Sequence, residues 1–240
     1  HGDIENFLAC QTEHGDPRSK SYDIKPQVGL HDIFMRMKDD NEAVWHTFCP
    51  HEVETKLGIK LWEVFGDEFD SAYQICVKAK EDGVLKVGSS YLAKKLFIEI
   101  MKVQLETGMP YLSFLDALNR GNPNKHEGTI PCFNLCTEST SVVVADKYAH
   151  TCNLLSVVVG RVAMDKLEYF GGLACHILDN GIALTNPPIE ISRAHNERFR
   201  TIGIGIQGLH DIVAREHKNF SDYDFLTEVA ERIQYGAVKK

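Results

Sequence analysis

The stretch SYLAKKLFIEIMKVQLETGMPYLSFL at residues 90–115 contains a helix followed by a strand. Apolar side chains recur every three or four positions over 90–107, which predicts an amphipathic helix with Ser89 or Ser90 as its N-cap. The Gly-Met-Pro sequence that follows is expected to end this helix. The run 111–115 then predicts a strand that leads into a polar loop.

The same alternation continues along the chain. Strands that alternate with helices predict an α/β fold with parallel strands. The apolar sequence CNLLSVVV predicts a buried strand. We expect further helices at 2–10, 67–80, 164–180 (closed by Gly181), 209–216 and 225–239, further strands at 152–159 and 200–206, and loops at 11–27 and 119–127.

The composition is that of a globular protein and excludes several classes. The chain has 240 residues, of which 43% are hydrophobic and 25% are charged, so it allows one large domain or two small ones. The net charge of −8 argues against a nucleic-acid partner, because such proteins need a basic face. The apolar runs fall far below the roughly 20 residues that span a bilayer, so we expect no membrane partner.

Cysteine usage and the chain ends give two further expectations. Seven cysteines at irregular spacing predict reduced thiols in the cytoplasm rather than a secreted disulfide framework. The chain begins with His1 instead of Met and stops at Lys240 inside a helical pattern. Both ends therefore suggest a piece of a longer polypeptide.

Three glycines form a G-x-G-x-x-G pattern between a predicted strand and a predicted helix. Gly203, Gly205 and Gly208 match the turn that binds a dinucleotide. The acidic residues that follow, Asp222 and Asp224, precede a helix rather than end a second strand. We therefore favour tight strand-to-helix packing through small residues and keep an NAD-binding dehydrogenase as the alternative.

A zinc site is another alternative. Cys132, Cys136, Cys152 and the pair Cys175-His176 are residue types that bind zinc, but their spacing matches no common zinc motif. His195 lies in an arginine-rich segment that we expect to be a solvated loop.

The most informative segment is Asn134-Leu135-Cys136-Thr137-Glu138. On an extended backbone, the spacing i, i+2, i+4 places an amide, a thiol and a carboxylate on one face. The thiol can donate a hydrogen atom or act as a nucleophile, and the carboxylate can take a proton. Cys152 begins a predicted strand later in the chain, so the intervening loop can bring a second thiol to the same site. The alternative is a loop with one buried cysteine and a solvated glutamate.

The chain resembles the large (α, catalytic) subunit of class I ribonucleotide reductases over nearly its whole length. The resemblance is carried by HGDIENFL at 1–8, ETGMPYLSFLDALNR at 106–120, GTIPCFNLCTES at 128–139, HTCNLLSVVVGRV at 150–162 and FRTIGIGIQGL at 199–209. The N-L-C-T-E element is specific when it lies between a G-T-I run and a C-N-L strand.

This resemblance implies a particular fold. Residues 1–240 would be the central part of the catalytic domain, a ten-stranded α/β barrel of two five-stranded halves that is incomplete at both ends. A finger loop at about 128–150 would carry Asn134–Glu138 to the barrel centre. The glycine pattern at 203–208 would then be a barrel strand and a helix entry.

The resemblance also implies the roles of individual residues. Cys136 matches the cysteine that becomes a thiyl radical and removes the 3′ hydrogen of the ribose, and Glu138 matches the general base for the 3′ hydroxyl. Asn134 matches the amide that hydrogen-bonds the substrate hydroxyl and the glutamate. Cys152 matches one of two thiols that reduce the 2′ position and end as a disulfide. Leu135 and Thr137 complete the implied substrate-binding segment.

The implied substrate is a ribonucleoside diphosphate, and the implied partners are a radical-generating small (β) subunit with a metal centre and thioredoxin or glutaredoxin. No cofactor is expected on this chain itself. An adenosylcobalamin-dependent reductase is the alternative within the same chemistry, and a non-catalytic structural fragment is the alternative outside it.

The sequence departs from the family pattern at several points. The second redox cysteine and the allosteric specificity segments would lie upstream of residue 1, and the radical-relay tyrosines and the C-terminal cysteine pair would lie downstream. Phe133 stands where the family usually has a small hydroxyl residue, which affects local substrate contacts. We therefore expect the chain to need companion chains or segments for turnover.

Overall fold

The computed structural model describes all residues from His1 to Lys240. The chain divides into two compact units, His1–Val143 and Val144–Lys240. Each unit has its own elements and its own core.

The first unit contains six helices and four strands. In chain order they are α1 (Ile4–Ala9), β1 (Gln27–Leu30), α2 (Asp32–Met37), β2 (Val44–His46), α3 (Pro50–Leu57), α4 (Gly66–Glu81), β3 (Ser90–Leu92), α5 (Ala93–Thr107), β4 (Tyr111–Phe114) and α6 (Leu115–Arg120).

The first unit has two small sheets. β1 and β4 pair in parallel, with Val28 opposite Leu112, and β2 and β3 pair antiparallel, with Trp45 opposite Tyr91. The parallel pair is joined through a long connection that includes helices, as parallel strands require.

The helix predicted at 90–107 is confirmed, but its start differs from the prediction. Ser90 belongs to β3, and Leu92 occupies the N-cap position of α5 without a side-chain hydrogen bond. A serine cap was expected from local sequence alone, and pairing of Ser90 with distant His46 takes precedence. The end is as predicted, because Gly108 adopts a left-handed conformation after the last turn.

Two hydrophobic clusters stabilise the first unit. The apolar face of α5, which includes Leu96 and Ile100, packs on β1 and α1. The predicted face of α4, with Phe69, Tyr73 and Cys76, forms the second cluster with α3. Both helices therefore bury the stripes that their sequence periodicity indicates.

A fully buried carboxylate connects three elements of this unit. Asp116 in α6 accepts hydrogen bonds from the backbone N–H of Asp32 (2.6 Å) and of Gly66 (2.8 Å), and lies 2.8 Å from Nδ1 of His31. Burial raises the pKa of Asp116, but these hydrogen bonds outweigh it and hold the pKa below its usual range. The negative charge also lies at the positive N-termini of α2 and α4.

The second unit contains four helices and two strands. They are β5 (Leu154–Val158), α7 (Leu167–Leu184), α8 (Glu190–Phe199), β6 (Gly203–Gln207), α9 (Leu209–Arg215) and α10 (Tyr223–Lys239). β5 and β6 pair in parallel, with Ser156 opposite Gly205.

The glycines of the G-x-G-x-x-G pattern allow close packing. A Cβ at Gly203 would lie 2.6 Å from a methyl group of Leu154, and one at Gly205 would lie 2.7 Å from Oγ of Ser156. Gly208 has a left-handed conformation at the N-cap of α9. These contacts support the packing interpretation of the pattern.

In this unit the structure contradicts the predicted burial of one strand, the predicted end of one helix and the predicted setting of one histidine. The strand at 152–159 forms over Leu154–Val158, but most of its side chains are not buried, and Leu154 is 47% exposed. α7 continues through Gly181 to Leu184 because this glycine does not adopt the left-handed conformation that ends a helix. His195, expected in a solvated loop, is fully buried within α8.

α7 and α10 approach each other closely at two glycines. A Cβ at Gly236 would lie 1.9 Å from the carbonyl oxygen of Glu168, and one at Gly171 would lie 2.2 Å from the carbonyl oxygen of Ile233. Only glycine permits this separation of the two helices, because any side chain would displace one backbone from the other.

The expectation of an α/β fold agrees with the mixed helices and strands, but no closed barrel is present. The six strands form three separate two-stranded sheets, so the ten strands implied by the family resemblance are not found within these residues. No helix is both long enough and apolar enough to span a membrane.

Substitution of Gly236 by alanine is expected to destabilise the second unit by about 1–3 kcal/mol, because the new methyl group overpacks the contact with Glu168. Gly181→Ala is the matched control on α7, where no atom lies within 4 Å of the added Cβ. The control should gain up to about 1 kcal/mol from helix propensity. Urea unfolding measures both variants, and equal effects would contradict the close-packing argument.

Burial, with a smaller effect from His150, lowers the pKa of His195 to about 4 from 6.5. Between these values the unfolded chain binds a proton that the folded chain does not, so stability falls as the pH drops from 6.5 to 4. The shift corresponds to about 3 kcal/mol. His195→Gln should remove most of this acid-dependent loss in urea unfolding measured across pH, whereas a His176→Gln control at an exposed position should retain it.

Candidate functional site

The loop that contains Cys136 is fixed at its beginning by a buried asparagine. Asn119 in α6 donates from Nδ2 to the carbonyl oxygen of Ile130 (3.0 Å) and accepts from the N–H of Ile130 (2.8 Å). Both residues are buried. Because both backbone groups of Ile130 are paired with one side chain, this end of the loop has a defined position.

Further contacts hold the stem of the loop. Oε1 of Gln27 accepts a hydrogen bond from the N–H of Phe133 (3.0 Å). The N–H of Val143 donates to the carbonyl oxygen of Thr129 (3.2 Å), and the neighbouring Val142 is fully buried. The segment between these contacts therefore projects from a fixed base.

The tip of the loop is a tight turn rather than an extended segment. The N–H of Thr137 donates to the carbonyl oxygen of Asn134 (3.0 Å), and the N–H of Asn134 donates to the carbonyl oxygen of Ser139 (3.2 Å). Thr137 has a φ of 64°, in the left-handed region. The one-face argument based on alternation is therefore wrong, because alternation holds only for regular extended backbone.

The turn nevertheless brings two of the predicted site residues together. Nδ2 of Asn134 donates to Oε1 of Glu138 at 2.8 Å, and Oδ1 of Asn134 accepts from the N–H of Ser139 at 3.0 Å. The amide side chain is thus oriented by two contacts and holds the carboxylate beside it. The alternative interpretation expected a solvated glutamate and a buried cysteine: Glu138 is indeed exposed, although paired with Asn134, whereas Cys136 is exposed rather than buried.

Cys136 lies between these two residues in the sequence and is exposed at the turn. The adjacent Leu135 is also exposed. The turn therefore presents a thiol, with a paired amide and carboxylate on either side of it in the chain. Such a set can donate hydrogen from sulfur, accept a proton at the carboxylate and hydrogen-bond a hydroxyl group.

Cys132 is a second thiol on the same loop, four residues before Cys136. The Cys132 side chain is exposed, but desolvation by neighbouring atoms raises the pKa of its thiol, which disfavours the nucleophilic thiolate form. It is therefore a useful comparison for Cys136.

Cys152 belongs to the second unit, where it is exposed immediately before β5. The next residue fixes the chain there, because Nδ2 of Asn153 donates to Oδ1 of Asn196 (3.0 Å) and to the carbonyl oxygen of Thr201 (3.0 Å). The N–H of Gly203 also donates to the carbonyl oxygen of Asn153 (2.9 Å). The backbone beside Cys152 is thus tied to α8 and to the start of β6.

A cluster of rings lies on the N-terminal side of Cys152. His150 and His195 have ring centroids 5.3 Å apart, and Phe199 packs 4.9 Å from His195 and 5.0 Å from Tyr148. Burial lowers the pKa of His150 and of His195, which favours neutral imidazoles at pH 7. This cluster anchors the segment that leads to the second predicted thiol.

The other sequence alternatives receive no geometric support. Asp222, the acid considered for a dinucleotide site, accepts a hydrogen bond from the N–H of Phe225 and caps α10. No three His, Cys, Asp or Glu side chains are grouped so that they could hold a metal ion.

Sequence reasoning did not identify the residues that position the loop. The sequence predicts only a polar loop around Asn119 and Asn122. In the structure their side-chain amides donate hydrogen bonds to the carbonyl oxygens of Ile130 and Gly128. Gln27, which contacts Phe133, lies 106 residues earlier in the chain. The two asparagines shortly before the G-T-I run, Asn119 and Asn122, are the one local sequence signal that side chains hold this loop in place.

Comparison with known proteins identifies the family of this chain. A family model described as "Ribonucleotide reductase, barrel domain" matches residues 1–240.

Curated relatives are similar along the same length. A ribonucleoside-diphosphate reductase subunit alpha from Synechocystis sp. is 41% identical over 235 residues, which cover 98% of this chain and 30% of that protein. The subunit alpha from Treponema pallidum is 31% identical over 268 residues, covering 100% of this chain and 31% of that protein. The large subunit from Caenorhabditis elegans is 32% identical over 250 residues, covering 100% and 30%.

The chain therefore spans about three tenths of the length of these relatives. Since the family model covers every residue, the chain belongs to the ribonucleotide reductase family and matches its barrel domain.

Proposed function

We propose that this chain is the catalytic portion of a ribonucleoside-diphosphate reductase, which converts ribonucleotides to deoxyribonucleotides by thiyl-radical chemistry. The observation that carries the proposal is the 2.8 Å contact between Asn134 and Glu138 across the turn that exposes Cys136. Those residue types suit this chemistry, and the chain belongs to the ribonucleotide reductase family.

Cys136 removes the hydrogen atom from the 3′ carbon of the ribose. In this step the S–H bond of Cys136 forms as the 3′ C–H bond breaks, so the radical moves from sulfur to carbon. The exposed position of the thiol at a turn allows a sugar ring to approach it. A thiyl radical suits this step because the transfer of a hydrogen atom between an activated carbon and sulfur has a free-energy change close to zero.

Glu138 takes the proton of the 3′ hydroxyl, and Asn134 orients both the hydroxyl and the carboxylate. The amide already donates to Oε1 of Glu138, so the carboxylate retains lone pairs for the substrate. Loss of the 2′ hydroxyl as water then becomes easier, because negative charge develops on the 3′ oxygen while the leaving hydroxyl is protonated.

Cys152 and a second thiol supply the two electrons of the reduction. The two S–H groups are oxidised to one disulfide, and their two hydrogens supply the proton of the leaving water and the hydrogen gained by the 2′ carbon. Cys136 then returns its hydrogen atom to the 3′ carbon, which regenerates the thiyl radical. The disulfide is then reduced by thiol exchange with thioredoxin or glutaredoxin. Seven irregularly spaced cysteines favour a reducing cytoplasmic location.

The two parallel strand pairs support a larger barrel. We propose that β1–β4 and β5–β6 are parts of a ten-stranded barrel, completed by companion segments, with residues 128–150 as its finger loop. A barrel interior would shield the radical from water and from stray hydrogen donors.

The oxidising equivalent for Cys136 would come from the metal centre of a small subunit. The relatives carry names that denote a large or alpha subunit, which supports a two-subunit enzyme. Activity on addition of adenosylcobalamin in the absence of any small subunit would instead place the chain in the cobalamin-dependent class.

Cys136→Ser in a complete large subunit that carries this segment should abolish deoxynucleotide formation, because a hydroxyl O–H bond is too strong for the hydrogen exchange. The measurement is product formation from a ribonucleoside diphosphate with the small subunit and a reductant, with far-UV circular dichroism as the folding check.

Cys132→Ser is the matched control for this test, because Cys132 is an exposed thiol on the same loop. It should retain most activity. Appreciable turnover by the Cys136 variant, or an equal loss in the control, would reject the role of Cys136.

Cys152→Ser should block repeated turnover, because the reducing pair loses one thiol and no disulfide can form. Steady-state product formation with thioredoxin measures the effect, and Cys175→Ser, at a half-buried position on α7, serves as the control. Normal cycling by the Cys152 variant would contradict the assignment without affecting that of Cys136.

A further inference from the structure

The first unit contains a cavity of about 350 Å³ beneath α2 and α4. Its walls are strongly aromatic, with Trp45, Phe48, Trp62, Phe69 and Tyr73 among the lining residues. An engineered apolar cavity of about 150 Å³ holds benzene, and natural ligand pockets begin at about 300 Å³. The cavity is therefore large enough for a molecule with two fused rings.

Tyr73 provides a buried donor on the wall of this cavity. The side chain is only 2% exposed, and its hydroxyl oxygen accepts a hydrogen bond from the N–H of His46 at 2.8 Å. Burial raises the pKa of Tyr73 to about 12, so the hydroxyl keeps its hydrogen. The chain supplies no acceptor for that hydrogen, and an unpaired buried donor is costly unless another molecule accepts it.

His31 also lines the cavity and provides an acceptor. Its ring stacks on Phe69, with centroids 3.4 Å apart, and its Nδ1 lies 2.8 Å from the Asp116 carboxylate. Because a carboxylate only accepts hydrogen bonds, Nδ1 must carry the hydrogen. Burial lowers the pKa of His31, so the ring is neutral and Nε2 is the acceptor.

The charge of the cavity lining restricts the class of ligand. No Lys, Arg, Asp or Glu side chain lines the cavity. The amino terminus at His1 also lines the cavity, but burial lowers the pKa of this amine, so the lining offers a phosphate group little positive charge and does not suit the nucleoside diphosphate of the proposed reductase reaction. The aromatic walls instead suit a flat, neutral molecule.

We propose that this cavity binds a small, uncharged heteroaromatic molecule that accepts a hydrogen bond from the Tyr73 hydroxyl and donates one to Nε2 of His31. The inference does not depend on the proposed reductase function, because it uses none of the residues of the thiol loop.

Titration of the 240-residue chain with benzimidazole tests the proposal. Benzimidazole is a flat two-ring molecule with one N–H donor and one nitrogen acceptor. Both tryptophans of the chain line the cavity, so tryptophan fluorescence should change saturably, with a stoichiometry of one by calorimetry. Absence of saturable binding would overturn the proposal.

Tyr73→Phe removes only the hydroxyl and should weaken benzimidazole binding about tenfold, the effect of one lost hydrogen bond. Tyr91→Phe is the matched control, because the Tyr91 hydroxyl is also buried but Tyr91 does not line this cavity. Tyr91→Phe should bind benzimidazole as tightly as the unaltered chain does. If Tyr73→Phe and Tyr91→Phe bind benzimidazole equally well, the proposed role of Tyr73 is wrong.

A second probe keeps the test valid if Tyr73→Phe fails to fold. Naphthalene has nearly the shape of benzimidazole but neither a hydrogen-bond donor nor an acceptor. Its affinity for the unaltered chain should therefore be about tenfold lower than its transfer from water to an apolar solvent predicts. Binding that follows hydrophobicity alone would overturn the proposed hydrogen bonds.

Discussion

The buried carboxylate of Asp116 is the interaction on which the first unit depends. It is fully inaccessible to solvent and pairs with two backbone N–H groups and one imidazole. Removal of any one donor would leave a charge in an apolar interior, which is costly. Three residues later on the same short helix, Asn119 fixes Ile130 at the base of the thiol loop. One helix, α6, therefore connects the core of the unit to its candidate site.

This connection explains how a surface turn acquires a defined geometry. Asn119 and Gln27 hold the stem of the loop, and within the turn Asn134 pairs with Glu138 and with the backbone of Ser139. Each of these polar side chains forms hydrogen bonds with a backbone group or with one neighbouring side chain. Few other conformations of the loop would form all of these hydrogen bonds at once. The relative position of the amide and the carboxylate is thus set locally.

The sequence predicts elements well where a single periodicity governs the segment. The apolar stripes of α4 and α5 identify both helices and their buried faces. Prediction fails where a distant contact overrides the local signal, as at Ser90, which pairs with His46 instead of capping α5. It fails again at Asn134–Glu138, because a left-handed Thr137 turns the backbone that alternation treats as straight. His195 was missed because the charged residues of α8 conceal a buried face that only tertiary packing reveals.

The exposure of β5 and the exposure of Cys136 have the same cause: contacts between neighbouring residues cannot cover either of them. The apolar sequence of β5 is suited to burial on both faces, yet Leu154 and Val158 are 47% and 42% exposed in the 240 residues. A sulfur radical likewise requires a site from which water is excluded. Local hydrogen bonds can preorganise an amide beside a carboxylate, but they cannot exclude solvent, which requires surface from elements distant in the chain. The geometry of the proposed chemistry is therefore a local property of the turn, whereas its protection is a property of the complete barrel that we propose.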